Sequence, residues 1–346
     1  MSRRRLYLDD APGERRGVVA VAGRPERLIL ERDGEDRSPW LGARYRARLA
    51  RIERAIASAF LDLGGGQEAL LALTGEAKAL AEGAIVEVEI SAEARRGKLA
   101  LARYIGAGQG APGSLGEAMG LSERLQAFSP GTAIIGSREA RDMADQAETE
   151  ALAVEHLLPG GGSLAVEPTR ALVAVDVDLG ARQGDARRIA RQANLQAIDE
   201  TARLLRLKGL GGLVVIDLVG SGHDGEALAA QVKQAFAPDE PGVALGPISR
   251  FGALQLVVPW RVRPLAEQLC EADGAPTHQT LALRLLRALE REAEADRGAR
   301  LFARCAPAVA EAAKAYTAAL ADRIGARFEI RPDPGLKPEE METGPA

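Results

Sequence analysis

Short apolar or alternating runs, punctuated by glycine and proline, dominate the first third of the chain. RLYL, GVVAVAG and ERLILE (5–8, 17–23 and 26–31) predict three strands, the last two paired as a hairpin across Gly23-Arg24-Pro25. Five further runs follow: YRARLARIE, SAFLDLG, EALLAL, AIVEVEI and KLALAR. With turns at Gly64-Gly65-Gly66 and Arg95-Arg96-Gly97, they predict a small OB-type β-barrel over 44–104. The segment GAGQGAPGSLG (106–116) lacks apolar periodicity and reads as a linker. An acidic helix is expected around 138–156, stopped by Pro159-Gly160-Gly161-Gly162.

The second half has a different pattern. ALVAV (171–175) and LVVI (213–216) are continuous apolar runs of the kind found in buried strands. Between them, 185–207 reads as a helix, with Asp185 as N-cap and Ile189, Ala193, Ala197, Thr201 and Leu204 along one face. Strand, crossover helix and strand predict a βαβ unit with parallel strands. A helix at 225–236, strands in VALGPIS and ALQLVV, an amphipathic helix at 279–295, the helical run AVAEAAKAYTAALADRIG and a strand RFEIRP complete the reading. The tail after Pro332 is expected to be disordered.

Composition narrows the class. The 346 residues are 46% hydrophobic and 27% charged, which excludes global disorder. Cys270 and Cys305 are the only cysteines, so a disulfide-stapled secreted fold is disfavoured and a reduced, cytoplasmic setting is expected. No apolar run approaches the ~20 residues that span a bilayer, and the basic start Met1-Ser2-Arg3-Arg4-Arg5 is not followed by a signal-peptide core. Net charge is −4 but segregated. Five arginines crowd 44–54, 182–208 is basic, and 138–155 is mostly acidic. These blocks read either as solvated faces or as a polyanion site beside a cation site.

Two aspartates stand out. Asp176 ends ALVAV and Asp217 ends LVVI, so parallel strands would bring both carboxylates to one C-terminal sheet edge, where open α/β sheets hold ligands. Like charges so close are readily retained when a hard dication lies between them, and Asp178 is a candidate third oxygen ligand. Mg²⁺ with open water positions suits phosphodiester hydrolysis. The alternative is that aspartate simply follows a buried strand as a turn or cap residue. His156, His223 and His278 are scattered and suggest no competing mechanism. In the barrel, Tyr45, Phe60 and Tyr104 fall on or beside strands. With Arg44, Arg46, Arg48 and Lys98 they are candidates for stacking and gripping a single strand, with Phe60 readable as core instead.

Four blocks carry a resemblance: YRARLARIERAIASAFLDLGGGQEALLAL, LPGGGSLAVEPTRALVAVDVD, ANLQAIDETARLLRLKGLGGLVVIDL and PISRFGALQL. In order and in content they resemble the ribonuclease E/G family. The resemblance implies an α+β multidomain chain. An OB-type RNA-binding barrel (39–105) would be inserted in a reduced RNase H-like subdomain (1–38 and 117–168). A DNase I-like α/β catalytic domain (169–262) and a small C-terminal α/β domain (263–332) would follow, ahead of the tail at 333–346. It further implies Mg²⁺-dependent endonucleolytic cleavage of single-stranded RNA, leaving 5′-phosphate and 3′-hydroxyl ends. Asp176 and Asp217 would be metal ligands, Phe60 a base-stacking residue and Arg250 a phosphate contact near the cleft.

Departures from the family pattern carry expectations too. Asp178 stands where the family has Asn, and Leu70 where it has a second stacking aromatic. No Arg-Thr-Ala-Gly motif lies in 106–158, so 5′-monophosphate sensing is not expected. The family's zinc-binding Cys-x-x-Cys reads Cys270-Glu271-Ala272-Asp273, so no zinc link is expected, and a homodimer is left open. The rival reading is a catalytically inactive RNA-binding protein serving as a regulator or ribosomal RNA maturation factor.

Overall fold

The computed structural model describes residues 4–34, 39–116 and 119–346. The first three residues of the basic N-terminus and the expected boundaries at 35–38 and 117 lie outside the described residues.

The first three strands form a meander: β1 (Arg4–Ala11), β2 (Glu14–Val21) and β3 (Arg24–Arg32). The hairpin turns at Ala22-Gly23, both with positive φ (52° and 78°), one residue earlier than expected. Arg24 and Pro25 already belong to β3.

A six-stranded sheet follows, from β4 (Arg44–Glu53), β5 (Ser58–Gly64), β6 (Gln67–Ala72), β7 (Ile85–Ala92), β8 (Ala100–Ala107) and β9 (Gly113–Ser114). The order β5-β6-β8-β7-β4, closed by β4–β5 pairing, makes a five-stranded OB-like barrel within a mixed α+β fold. Period-two alternation explains the closure: Tyr45, Ala47 and Leu49 point inward while Arg44 and Arg48 point out. The Gly-rich segment is not a free linker, because β9 returns to pair with β4. Gly64 permits that crossing, since a Cβ there would lie 2.8 Å from the Pro112 carbonyl oxygen.

Helices α1 (Leu121–Phe128) and α2 (Ser137–Leu152) pack against the first sheet, and β10 (Ile134–Ile135) extends it beside β1. Ala140, Ala144, Ala147 and Ala151 form the buried stripe of α2. The acidic block is therefore only partly a solvated face. Glu148 goes inside with Arg141, and both are met by buried charges from elsewhere.

The next sheet runs β11 (Glu155–Leu157), β12 (Ser163–Pro168), β13 (Val173–Asp178), β14 (Gly212–Asp217), β16 (Ala253–Val258), β15 (Ala244–Leu245). Strands β13 and β14 are parallel, joined by α3 (Ala186–Lys208). Asp185 caps that helix by accepting the Arg188 N–H at 2.8 Å, and Gly209 ends it in the left-handed region (φ 71°). Val173, Val175, Val177, Val214 and Ile216 face the core shared with Ala197, Ile198 and Leu204. The opposite face of these strands is open.

The remaining elements are α4 (Gly225–Ala235), α5 (Leu265–Leu269), α6 (His278–Ala295), β17 (Leu301–Cys305), α7 (Pro307–Ala313), α8 (Thr317–Ile324), β18 (Phe328–Pro332) and β19 (Met341–Pro345). Strand β19 corrects the expectation of a disordered tail. It pairs antiparallel with β17 over five residues, using the edge that β18 leaves free. Among the described residues no helix is long and apolar enough to cross a membrane.

Candidate active site

The register of β13 on β14 pairs Val173 with Val214, Val175 with Ile216, and Asp176 with Asp217. Directly paired residues project from the same side of a sheet, and adjacent strands lie about 4.8 Å apart. The two carboxylates are thus neighbours on the open face, both exposed. Among the described residues, neither accepts a hydrogen bond or ion pair.

The segments around the pair are held in place. Asn194, buried on α3, grips the chain as it leaves β14: its Oδ1 accepts the Val219 N–H at 3.1 Å and its Nδ2 donates to the Val219 carbonyl at 3.0 Å. On the other side, Asp217 pairs with Ala253 of β16. The preceding turn is organised by Ser249, whose Oγ accepts the N–H groups of Phe251 (3.3 Å) and Ala253 (3.1 Å). Across β13, the β11–β12 turn presses onto the strand end. A Cβ at Gly162 would lie 2.2 Å from the Asp178 carbonyl oxygen, and φ there is +81°, so only glycine fits.

Asp178 lies two residues beyond Asp176 and pairs with Ser163. Its Oδ1 accepts the Gly180 N–H at 2.5 Å, which directs the carboxylate to its own turn. Among the described residues no three His, Cys, Asp or Glu side chains converge as a metal site. The geometry therefore offers a two-carboxylate site, and Asp178 does not complete a third ligand.

Arg250 is exposed in the turn next to the Asp217 end of β14, its guanidinium 4.6 Å from the ring centre of Phe251. Phe251 is itself 79% exposed, a residue the sequence reading passed over although it stands in the same block. His223 approaches from the β14–α4 loop, 3.2 Å from where a Cβ at Gly252 would lie. Beside it a cavity of about 160 Å³ is lined by Arg187, Arg191, Ser221 and Asn194. His156 is elsewhere and buried; burial and the nearby Lys208 push it down to about 4.

The barrel residues are dispersed. Tyr45 is corrected: it is 8% exposed within the barrel core, so its ring is not available for stacking. The alternation of β4 sends it inward with Ala47 and Leu49. Arg46 is partly buried beneath the Gly-rich segment, with a guanidinium nitrogen 3.3 Å from a Cβ placed at Gly110. Arg48 pairs with Asp62 at 3.0 Å; the Gly64 N–H and then Arg48 hold that carboxyl below the usual range. Phe60 is half-buried on β5, covered on one face by Arg51 (4.3 Å) and paired in register with Leu70. Lys98 is exposed in the β7–β8 turn. The structure does not gather Arg44, Arg46, Arg48 and Lys98 into one unpaired basic patch, since Arg44 and Arg48 face Glu89 and Asp62.

Comparison with known proteins adds a family. The model of the Ribonuclease E/G family matches residues 138–258, the stretch containing both aspartates, Asn194 and the Arg250 turn. Ribonuclease E of Haemophilus influenzae is 37% identical over 148 residues, which is 39% of this chain and 16% of that protein. Ribonuclease E of Escherichia coli is 35% identical over 147 residues, covering 39% and 14%. Ribonuclease G of Salmonella typhimurium is 26% identical over 202 residues, covering 54% and 41%. Each match thus spans well under half of the relative's own length. The segment that carries the paired aspartates is thus similar to the ribonuclease E/G family.

Proposed function

We propose that the protein is a Mg²⁺-dependent endoribonuclease acting on single-stranded RNA, with Asp176 and Asp217 as the metal-holding pair. The observation that carries this reading is two register-paired, exposed carboxylates with no cationic or hydrogen-bonding partner among the described residues. The donor set fits: Mg²⁺ is commonly held by one or two carboxylates and keeps several waters. Bound there, it would neutralise charge on phosphoryl oxygens and acidify a coordinated water. Asn194 and the Ser249 turn would fix the strand ends that present the pair. Arg250 would bind a phosphate flanking the scissile bond, and Phe60 with Arg51 would contact a base at the barrel, while Arg46, Arg48 and Lys98 would add charge along the strand's path.

Under this proposal the barrel is the RNA clamp, β1–β3 with α1 and α2 the RNase H-like part, and β12–β16 with α3 and α4 the DNase I-like catalytic part. A zinc link between chains is not part of it. Burial holds the Cys270 thiol above its usual range, which disfavours the thiolate a zinc ion needs, and Asp273 accepts the N–H of Ala275 in its own turn. A homodimer formed by other contacts and a cytoplasmic setting remain compatible with the proposal.

The test is a fluorescent single-stranded RNA incubated with the full chain in Mg²⁺ and in EDTA. Internal cleavage in Mg²⁺ giving 5′-phosphate products, and none in EDTA, is expected. Binding without cleavage in either condition would instead support the non-catalytic RNA-binding reading.

A further inference from the structure

We propose that a second cavity, bounded by β3, α1, the entry to the barrel and the end of α3, binds an aromatic phosphate the size of one nucleotide. The cavity measures about 290 Å³ and shares no lining residue with the Asp176–Asp217 rim. That volume is at the small end of ligand pockets, enough for a mononucleotide and too little for a longer strand.

Its charge pattern argues for an anion. Arg27 and Arg124 both line it and are 21% and 19% exposed, so their guanidiniums are largely withdrawn from water. Neither makes a hydrogen bond among the described residues; their nearest carboxylates are Asp239 at 3.8 Å and Glu93 at 3.9 Å. Both carboxylates are already engaged. Asp239 accepts from Arg206 at 2.7 Å, and Glu93 accepts the N–H groups of Leu41 and Arg263. Burial holds both arginines below their ordinary range in spite of these carboxylates. Partly buried cations with no close acceptor are stabilised by a group that takes several N–H groups at once, as phosphate does.

The walls argue for a ring. Arg27 lies over Phe128 at 5.0 Å and Arg124 over Trp40 at 4.8 Å, so each guanidinium is seated against an aromatic wall of the cavity. Leu28, Leu30, Leu207 and Leu265 supply the apolar lining that a base would cover. The same chemistry is offered by a free nucleoside monophosphate and by the 5′-terminal nucleotide of an RNA. This inference stands whether or not the chain cleaves RNA.

The test is calorimetric titration of the full chain with AMP, adenosine, inorganic phosphate and a 5′-phosphorylated trinucleotide. Trp40 emission, isolated by Trp260→Phe, provides a second readout. Saturable AMP binding is expected, at least tenfold tighter than adenosine or phosphate alone. Arg27→Gln and Arg124→Gln should each weaken it at least tenfold with circular dichroism unchanged. Trinucleotide binding equal to AMP would assign the site to strand ends, and AMP binding alone would assign it to free nucleotide. No saturable AMP binding to the wild type, or equal affinity in both well-folded variants, would overturn the proposal.

Discussion

If the chain cleaves RNA as proposed, Asp217→Asn is expected to lower the single-turnover rate by roughly 10²–10³-fold, the order of loss seen when one preorganised electrostatic group is removed from a transition state. The substitution keeps shape and removes charge. Asp217 is exposed and makes no side-chain contact that stabilises the fold, so thermal stability should stay within about 0.5 kcal/mol. RNA affinity measured in EDTA should not change, because the proposed clamp is in the barrel, away from Asp217. Asp176→Asn should behave alike, and the double variant should be little worse than either single one if both carboxylates serve one ion. Rates measured under single-turnover conditions check this; wild-type cleavage by Asp217→Asn would remove the pair from the mechanism.

A second large effect concerns stability. Arg16 is fully buried, with Nε and a terminal nitrogen on Asp9 (2.9 and 2.6 Å) and the other terminal nitrogen near Asp145 (2.8 Å) and Glu148 (3.1 Å). Arg287 of α6 joins the same group through Glu14 and Glu148, and Arg32 meets Glu14 at 2.8 Å. The cluster ties β1 and β2 to α2 and to α6, elements far apart in sequence. Arg16→Met leaves Asp9 and Glu148 buried with less compensation, and should cost about 3–5 kcal/mol. A lower urea midpoint at neutral pH checks it, and a loss below about 1 kcal/mol would contradict the role assigned to the cluster. Acid should act through the same contacts. Burial by itself would raise the Glu148 carboxyl, but Arg287, Arg284 and Arg16 hold it below its usual range. Its contribution is therefore full above the ordinary glutamate pKa of about 4.3 and lost as pH falls through the lower native value.

Local patterns in the sequence carried much of this fold. Alternation marked the barrel strands, because one face of each is buried. The apolar runs ending in Asp176 and Asp217 marked the βαβ unit, because a crossover helix leaves only parallel pairing. Tyr45 was readable from the same alternation, which groups it with Ala47 and Leu49 inside, but its ring suggested binding instead. What escaped depends on distant partners. METGP has no strand-like alternation and becomes β19 only because β17 presents a free edge. The charges of α2 look solvated in sequence, yet Arg141 and Glu148 are buried against residues more than a hundred positions away. Asn194 gave one local signal, a polar amide on the buried face of a helix, and its partner Val219 is visible only in the fold.

The most direct measurement is the stoichiometry of Mn²⁺ binding by the full chain, read by electron paramagnetic resonance. One tightly held ion per chain in the wild type, lost in an Asp176→Asn/Asp217→Asn double variant that remains folded, is the predicted result. No bound ion in the wild type, or an undiminished one in the double variant, would contradict a shared cation between these strands.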